Sequence, residues 1–155
     1  MQIRGEWRIG APRRRVWTTL LDRDALEQAI PGCDSLVERA PDSYEVTVKV
    51  GVAMLRGSVS GRVTIERFAA ERSLRAVAEG DSDGGALAGV LTVELEDAGE
   101  GTQLSYVAGL SVIGAPSSPA GRVLEGVAKA MAGRFFGAIA ERAERAGAAA
   151  PDAVE

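Results

Sequence analysis

Cys33 is the chain's only cysteine and lies in the segment "AIPGCDSL", so it is the first residue to consider for chemistry. A cysteine can serve as a nucleophile or a metal ligand, but both roles need partners. The chain has no histidine, which excludes Ser-His and Cys-His dyads and the commonest metal ligand. A thiolate zinc site would need a second cysteine. The neighbouring Asp34 carboxylate should raise the pKa of the thiol. We therefore interpret "PGC" as a structural turn.

Two pairs of acidic residues could in principle serve a hydrolase. Asp81 and Asp83 flank Ser82 before two glycines, which is typical of a solvated turn. Glu94 and Glu96 share the polar face of a predicted strand. A catalytic carboxylate pair must converge in a cleft. The glycine-rich segments "GDSDGG" and "GEG" also lack the Lys-Ser/Thr of a phosphate-binding loop. The sequence therefore predicts no catalytic residue and no metal site.

Length and composition indicate one globular domain. The chain has 155 residues, 46% of them hydrophobic and 26% charged. A net charge of −4 is unfavourable for a general nucleic-acid-binding surface. A single cysteine favours a reducing cytoplasm. The N-terminus has no signal-peptide pattern, and no segment approaches the ~18 apolar residues of a spanning helix. We expect a cytoplasmic protein, and any membrane contact to be peripheral and at the inner face.

The first thirty residues predict a strand and two short helices. Alternating apolar residues in "QIRGEWRI" indicate a half-buried strand. Pro12 fits the first turn of a helix. Asp24 and Glu27 have the spacing of a capping box for a second helix, which ends at Pro31-Gly32.

From about residue 35 to residue 113 the hydrophobic period is two, which predicts about six strands. Turn signals separate them at residues 55–57, 70–72, 81–85 and 98–101. Sequential strands joined by short turns should form one antiparallel meander.

A long amphipathic helix is predicted to follow, with Ser118 as its cap and Pro119 in its first turn. Its apolar stripe comprises Leu124, Val127, Ala128, Met131, Phe135, Ala138 and Ile139. The helix should span roughly 26–28 residues, or ~40 Å. Its four glycines, at positions 121, 126, 133 and 137, each cost about 1 kcal/mol relative to alanine. Close packing on the sheet or room for a ligand would offset that cost, so a solid core and a cavity both remain open. We expect one domain over residues 1–146 and a loose tail over 147–155.

Three segments carry a resemblance to a known family. They are "GEWRIGAPRRRVWTTLLDRDALEQAIPGCDSL", "YEVTVKVGVAMLRGSVSGRVTIE" and "GVAKAMAGRFFGAIAERA". Together they resemble the CoxG-type family of carbon monoxide dehydrogenase subunits, within the START/Bet v 1-like, or SRPBCC, superfamily. The most specific elements are Ala11-Pro12 and Val16-Trp17, followed by "IPGC" at residues 30–33. The resemblance implies the helix-grip fold, in which a curved antiparallel sheet wraps a long C-terminal helix and two short helices close one end.

The resemblance also implies a function. Proteins of this superfamily hold hydrophobic small molecules between the sheet and the helix. CoxG-type proteins accompany molybdenum-containing carbon monoxide dehydrogenases and related hydroxylases, and are associated with membrane recruitment and with respiratory quinone. The leading hypothesis is therefore a non-enzymatic carrier of a lipophilic ligand such as a quinone, with no other cofactor. The expected cavity-lining residues are Val46, Val48, Val50, Val63, Leu91, Val93, Leu104, Tyr106, Leu110, Val127, Met131 and Phe135. Tyr106 is the expected hydrogen-bond donor to a ligand carbonyl.

Two other functions stay open. Polyketide cyclases share the superfamily, so the protein could be a cavity-based enzyme, although its only interior acid–base candidates are Tyr44 and Tyr106. It could also be a docking or assembly subunit without a ligand, recognisable by an exposed apolar patch.

Overall fold

A seven-stranded antiparallel sheet is the main element of the computed structural model, which describes residues 1–52, 55–82, 85–113 and 119–149. The first strand and two short helices are β1 (Gln2–Ile9), α1 (Arg13–Leu20) and α2 (Arg23–Ala29). The remaining elements are β2 (Cys33–Ala40), β3 (Ser43–Val52), β4 (Leu55–Ala69), β5 (Ser73–Ser82), β6 (Gly85–Ala98), β7 (Gly101–Ile113) and α3 (Pro119–Ala149). The strand order is β1-β7-β6-β5-β4-β3-β2. The sheet is a meander whose last strand pairs with the first, so the predicted fold class is confirmed.

The predicted capping box of α2 is wrong. Asp22, not Asp24, caps this helix, because Asp22 is extended and directly precedes the first helical residue. An Asp22 side-chain oxygen accepts a hydrogen bond from the Ala25 backbone N–H at 3.3 Å. Asp24 lies inside the first turn and pairs with Arg23 instead. Pro12 likewise sits one position before the first helical residue of α1.

Most predicted strand boundaries are correct, whereas α3 has 31 residues and is longer than the predicted length of roughly 26–28 residues. The turns at residues 70–72 and 98–101 separate β4 from β5 and β6 from β7. The predicted turn at residues 55–57 is wrong, since the β3–β4 ladder continues to the pair Val52 and Leu55. The turn at 81–85 falls partly outside the described residues, as does Ser118. Since α3 runs to Ala149, the expected domain boundary at 146 falls inside the helix, and the loose tail stays a prediction.

A glycine pair allows β4 and β5 to approach closely. Gly61 and Gly80 are register partners on these strands. A Cβ added at Gly61 would lie 2.1 Å from the carbonyl oxygen of Glu79, so no other residue fits without backbone movement. Glycines at such positions allow a sheet to bend strongly. The concave face that results surrounds one side of α3.

The C-terminal half of α3 packs closely on this concave face. Phe136 is 1% exposed, and its ring stacks on Tyr106 of β7 with centroids 4.6 Å apart and an interplanar angle of 20°. The predicted apolar stripe of the helix included Phe135 but not Phe136, which is the more buried of the two. The Tyr106 ring also lies across Gly5 of β1, where an added Cβ would be 2.8 Å from Cε1 and 2.9 Å from Oη.

Polar contacts fix α1 and the end of α3 to the sheet. The Gly10 backbone N–H donates to Glu144 Oε2 at 2.7 Å, which ties the β1–α1 connection to α3. The buried Thr102 hydroxyl donates to the Ala11 carbonyl at 2.7 Å. Arg13 of α1 pairs with Asp97 of β6 at 3.0 Å. No helix in the described part of the chain is long and apolar enough to cross a membrane.

Gly5→Ala should destabilise the protein by about 1–3 kcal/mol, because the new methyl group collides with a Tyr106 ring that Phe136 prevents from moving away. Chemical denaturation measures the loss. Gly109→Ala is the matched control in the neighbouring strand, since its nearest neighbour to an added Cβ is 4.0 Å away. In a Tyr106→Leu background the Gly5→Ala penalty should largely disappear. An unchanged penalty there would contradict the steric explanation.

Gly126→Ala and Gly133→Ala should each stabilise the protein by about 1 kcal/mol, because alanine is the better helix former. An added Cβ meets no described atom within 4 Å at either position. The glycine cost identified in the sequence is therefore not offset there by packing among the described residues. Ala130→Gly, at an exposed position of the same helix, should cost a similar amount and calibrates the scale. Destabilisation by either alanine would contradict this reading.

Candidate ligand-binding site

Three rows of inward-facing side chains form the floor of a cavity on the concave face. The register of the strands aligns them across the sheet. The first row comprises Tyr44, Val63, Ala78, Gly89 and Leu110. The second row comprises Ile65, Ala76, Leu91, Ala108 and Ile3. The third row comprises Leu74, Val93, Tyr106 and Gly5. All members except Gly5 line the cavity.

The cavity has a volume of about 360 Å³ and lies between these rows and α3. The helix contributes Ala128, Met131, Ala132, Phe135 and Phe136. Residues of α1, α2 and the start of β2 close another side with Leu20, Leu26, Ile30, Pro31 and Leu36. This volume lies in the lower part of the range of small-molecule sites, about 300–1,000 Å³.

Small residues at the centre of the interface explain why the space exists. Ala76, Ala78, Gly89 and Ala108 occupy the middle of the first two rows. Ala128 and Ala132 lie on the helix side of the same space. The aromatic stack of the third row holds the sheet and α3 apart. The small residues of the first two rows are too short to fill the space that this separation leaves.

The cavity wall is almost entirely apolar. Its described lining residues are aliphatic residues, methionine, proline, glycine, phenylalanine and the two tyrosines, without any charged side chain. Tyr44 is 4% exposed and Tyr106 is 7% exposed. Met1 also lines the cavity and is 42% exposed, so its side chain forms an apolar rim open to solvent.

Burial raises the pKa of the Tyr44 phenol, and the carboxylates of Glu38 and Asp42 raise it further. Since the shift is upward from an already high value, this phenol stays protonated near neutral pH and can donate a hydrogen bond. Tyr44 therefore offers the cavity a neutral polar group and no charge.

Seven of the expected site residues line this cavity: Val63, Leu91, Val93, Tyr106, Leu110, Met131 and Phe135. The described residues Val46, Val48, Leu104 and Val127 are not among those that line it. Leu104 pairs with Leu95 and Trp7 in a fourth row, where it is fully buried core. Val46 pairs with Gly61 beyond the first row, and Val48 lies further along β3. The side chain of Val50 lies outside the described residues.

Several lining residues were missed in the sequence, although the same pattern contained them. Ile3, Tyr44 and Ile65 lie on the alternating apolar faces of their strands, and Leu26 and Ile30 have the i, i+4 spacing of one helix face. The cross-strand register decides which inward-facing residues share a row, and the sequence pattern does not specify that register. Phe136 could have been found from the helical spacing of Ala132, Phe136 and Ile139.

The described reactive side chains that the sequence offered do not line the cavity. Asp81 is exposed, and Asp83 lies outside the described residues. The half-buried Cys33 thiol donates a hydrogen bond to the Ser35 carbonyl at 3.5 Å. Burial raises the pKa of this thiol most, and the nearby Glu27 carboxylate raises it further. Glu94 and Glu96 are exposed. Among the described residues, no group of three His, Cys, Asp or Glu side chains could hold a metal ion.

Solved structures share this fold. A conserved protein from Geobacillus kaustophilus is 24% identical with a TM-score of 0.85, over 94% of this chain and 96% of that one. A START superfamily protein from Mycobacterium smegmatis is 13% identical with a TM-score of 0.72, over 93% and 97% of the two chains. The Zhui aromatase/cyclase from Streptomyces sp. R1128 is 16% identical with a TM-score of 0.68, over 94% of each. At these identities the likeness establishes the fold alone, a START/Bet v 1-like helix-grip.

No curated protein is similar enough to this chain to count as a match. A family model does match, over residues 5–144, and it describes the CoxG subunit of carbon monoxide dehydrogenase. The match begins within β1 and spans both short helices, the whole meander and most of α3, so it includes all or part of every element that builds the cavity. The chain therefore belongs to the CoxG family of carbon monoxide dehydrogenase subunits.

Proposed function

We propose that this protein is a non-catalytic carrier that binds a lipophilic small molecule of the respiratory-quinone kind between its sheet and α3. The observation that carries the proposal is the cavity of about 360 Å³, whose described wall has two phenols as its only polar side-chain groups. Transfer of apolar surface from water to such a wall is favourable by about 25 cal/mol per Å².

We further propose that the carrier serves a molybdenum-containing carbon monoxide dehydrogenase or a related hydroxylase, and links that enzyme to the membrane at its inner face. Membership of the CoxG family supports the enzyme partner. A redox enzyme that uses a quinone would need such a carrier, because a quinone partitions into lipid and must be shielded from water to reach an enzyme outside the membrane.

The described cavity wall favours binding over catalysis. General acid–base catalysis needs a positioned group whose pKa lies near the operating pH. Among its described residues the wall contains no carboxylate, guanidinium or side-chain amine, and the Met1 ammonium at its edge donates to the Leu110 carbonyl at 3.2 Å. Burial moves the pKa of the Tyr44 phenol further from neutrality. The likeness to an aromatase/cyclase, at 16% identity, concerns the fold and supplies no catalytic residue.

Native mass spectrometry of the purified protein, with organic extraction of any bound molecule, tests the carrier role directly. We expect a co-purifying quinone or other prenyl lipid, or a mass increase after incubation with short-chain quinones. A mass that stays that of the bare chain under both conditions would contradict the carrier role and favour a ligand-free docking subunit.

Ala78→Phe should lower quinone binding at least tenfold, because the new ring fills the centre of the first row next to Gly89. Stability should be unchanged or higher, since an apolar ring occupies apolar space. The control is Ala88→Phe, on the exposed opposite face of the adjacent strand, beside Glu79. Calorimetric titration and thermal melting measure both effects. Equal binding by the two variants would show that the ligand does not occupy this cavity.

A further inference from the structure

The buried hydroxyl groups of this protein fall into two classes. Thr19 donates to the Arg15 carbonyl at 2.7 Å, and Thr102 donates to the Ala11 carbonyl at 2.7 Å. Tyr44 and Tyr106 are equally buried, yet neither hydroxyl has a hydrogen-bond partner in the part of the chain that the structure describes. Buried polar groups are normally paired, because an unpaired group loses its bonds to water without compensation. Both unpaired hydroxyls belong to cavity-lining residues.

Packing alone explains why the Tyr106 side chain is buried, without any ligand. Its ring lies between the Phe136 ring and the Gly5 backbone, and an added Cβ at Gly5 would be 2.9 Å from the hydroxyl oxygen. The hydroxyl is therefore directed along the sheet toward β1. Tyr106 is best explained as the residue that joins α3 to the sheet.

Tyr44 has no comparable packing role. It lies on β3, four strands from β7 in the sheet order, and makes no described ring stack. Nearby Asp42 is paired with Arg67 at 2.8 and 2.9 Å, so that carboxylate is already engaged. The phenol is thus a neutral donor at one flank of an apolar cavity.

The exposed rim lies at the other flank. The Met1 backbone carbonyl accepts a hydrogen bond from the Leu110 N–H of β7 at 2.8 Å. Tyr44 and Leu110 stand at opposite ends of the first row. A ligand spanning this row would meet the phenol at its buried end and apolar side chains at its exposed end.

From this arrangement we infer that the Tyr44 hydroxyl donates the hydrogen bond that holds the polar end of the ligand, a lipophilic molecule with a carbonyl oxygen at that end. Its apolar remainder lies along the first row toward Met1. This inference rests on the proposed carrier function and replaces Tyr106 with Tyr44 as the polar anchor.

The test compares two ring compounds of similar shape, 2,3-dimethyl-1,4-naphthoquinone and 2,3-dimethylnaphthalene. The methyl groups block addition of the Cys33 thiol to the quinone ring. Titrations followed by NMR give the affinity of each probe for the wild type, Tyr44→Phe and Tyr106→Phe. The wild type should prefer the quinone, and Tyr44→Phe should lower quinone affinity about three- to tenfold, the worth of one hydrogen bond. Affinity for the hydrocarbon should not change.

Tyr106→Phe is the matched control and should keep the preference for the quinone. The melting temperature of Tyr44→Phe should be unchanged or higher, because the substitution removes an unpaired buried hydroxyl. An unchanged preference in Tyr44→Phe, or a preference lost in Tyr106→Phe instead, would overturn the inference while leaving the carrier function intact. Failure of both probes to bind the wild type would overturn the carrier function and the inference together.

Discussion

The contact between Tyr106 and Phe136 determines the spacing on which the rest of the structure depends. Because the rings stack with centroids 4.6 Å apart, the sheet and α3 are held at a distance set by two aromatic thicknesses. Gly5 makes this possible by leaving room for the Tyr106 ring against β1. At that separation, alanine and glycine in the first two rows are too short to reach the helix. The cavity is therefore a consequence of the aromatic stack in the third row and of the alanine and glycine residues within the first two rows.

The described ion pairs of the protein lie outside the cavity, whose described wall therefore has no charged side chain. Arg13 with Asp97, and Glu144 with the Gly10 N–H, fasten the helices at the closed end of the sheet. Most ion pairs are exposed and contribute little stability individually. These ion pairs fix the relative orientation of the helices and strands, while burial of apolar surface supplies most of the folding free energy. Recruiting any of these charges to the cavity would require breaking a contact that holds the fold.

Element order and the inward faces of the strands were predictable from the sequence, because periodicity reports directly on which side chains are buried. The cavity residues were only partly predictable, because alternation identifies a face but not a row. Leu104 and Leu91 both alternate inward, yet only Leu91 pairs with small neighbours and borders the cavity. The cap of α2 was mistaken because both Asp22 and Asp24 are plausible caps, and only backbone geometry distinguishes them.

An apolar cavity in which a buried phenol anchors the ligand has a defined kind of selectivity. Hydrophobic pockets discriminate weakly between ligands that differ by a methylene, by only about 1–3 kcal/mol. The wall of this cavity should therefore tolerate variation in the apolar part of a ligand, particularly near the rim at Met1. A buried donor is more demanding, because a ligand without an acceptor leaves the hydroxyl unpaired. Ligand class would then be decided at Tyr44, while chain length is left open, which suits a carrier of lipids that share a head group and differ in their tails.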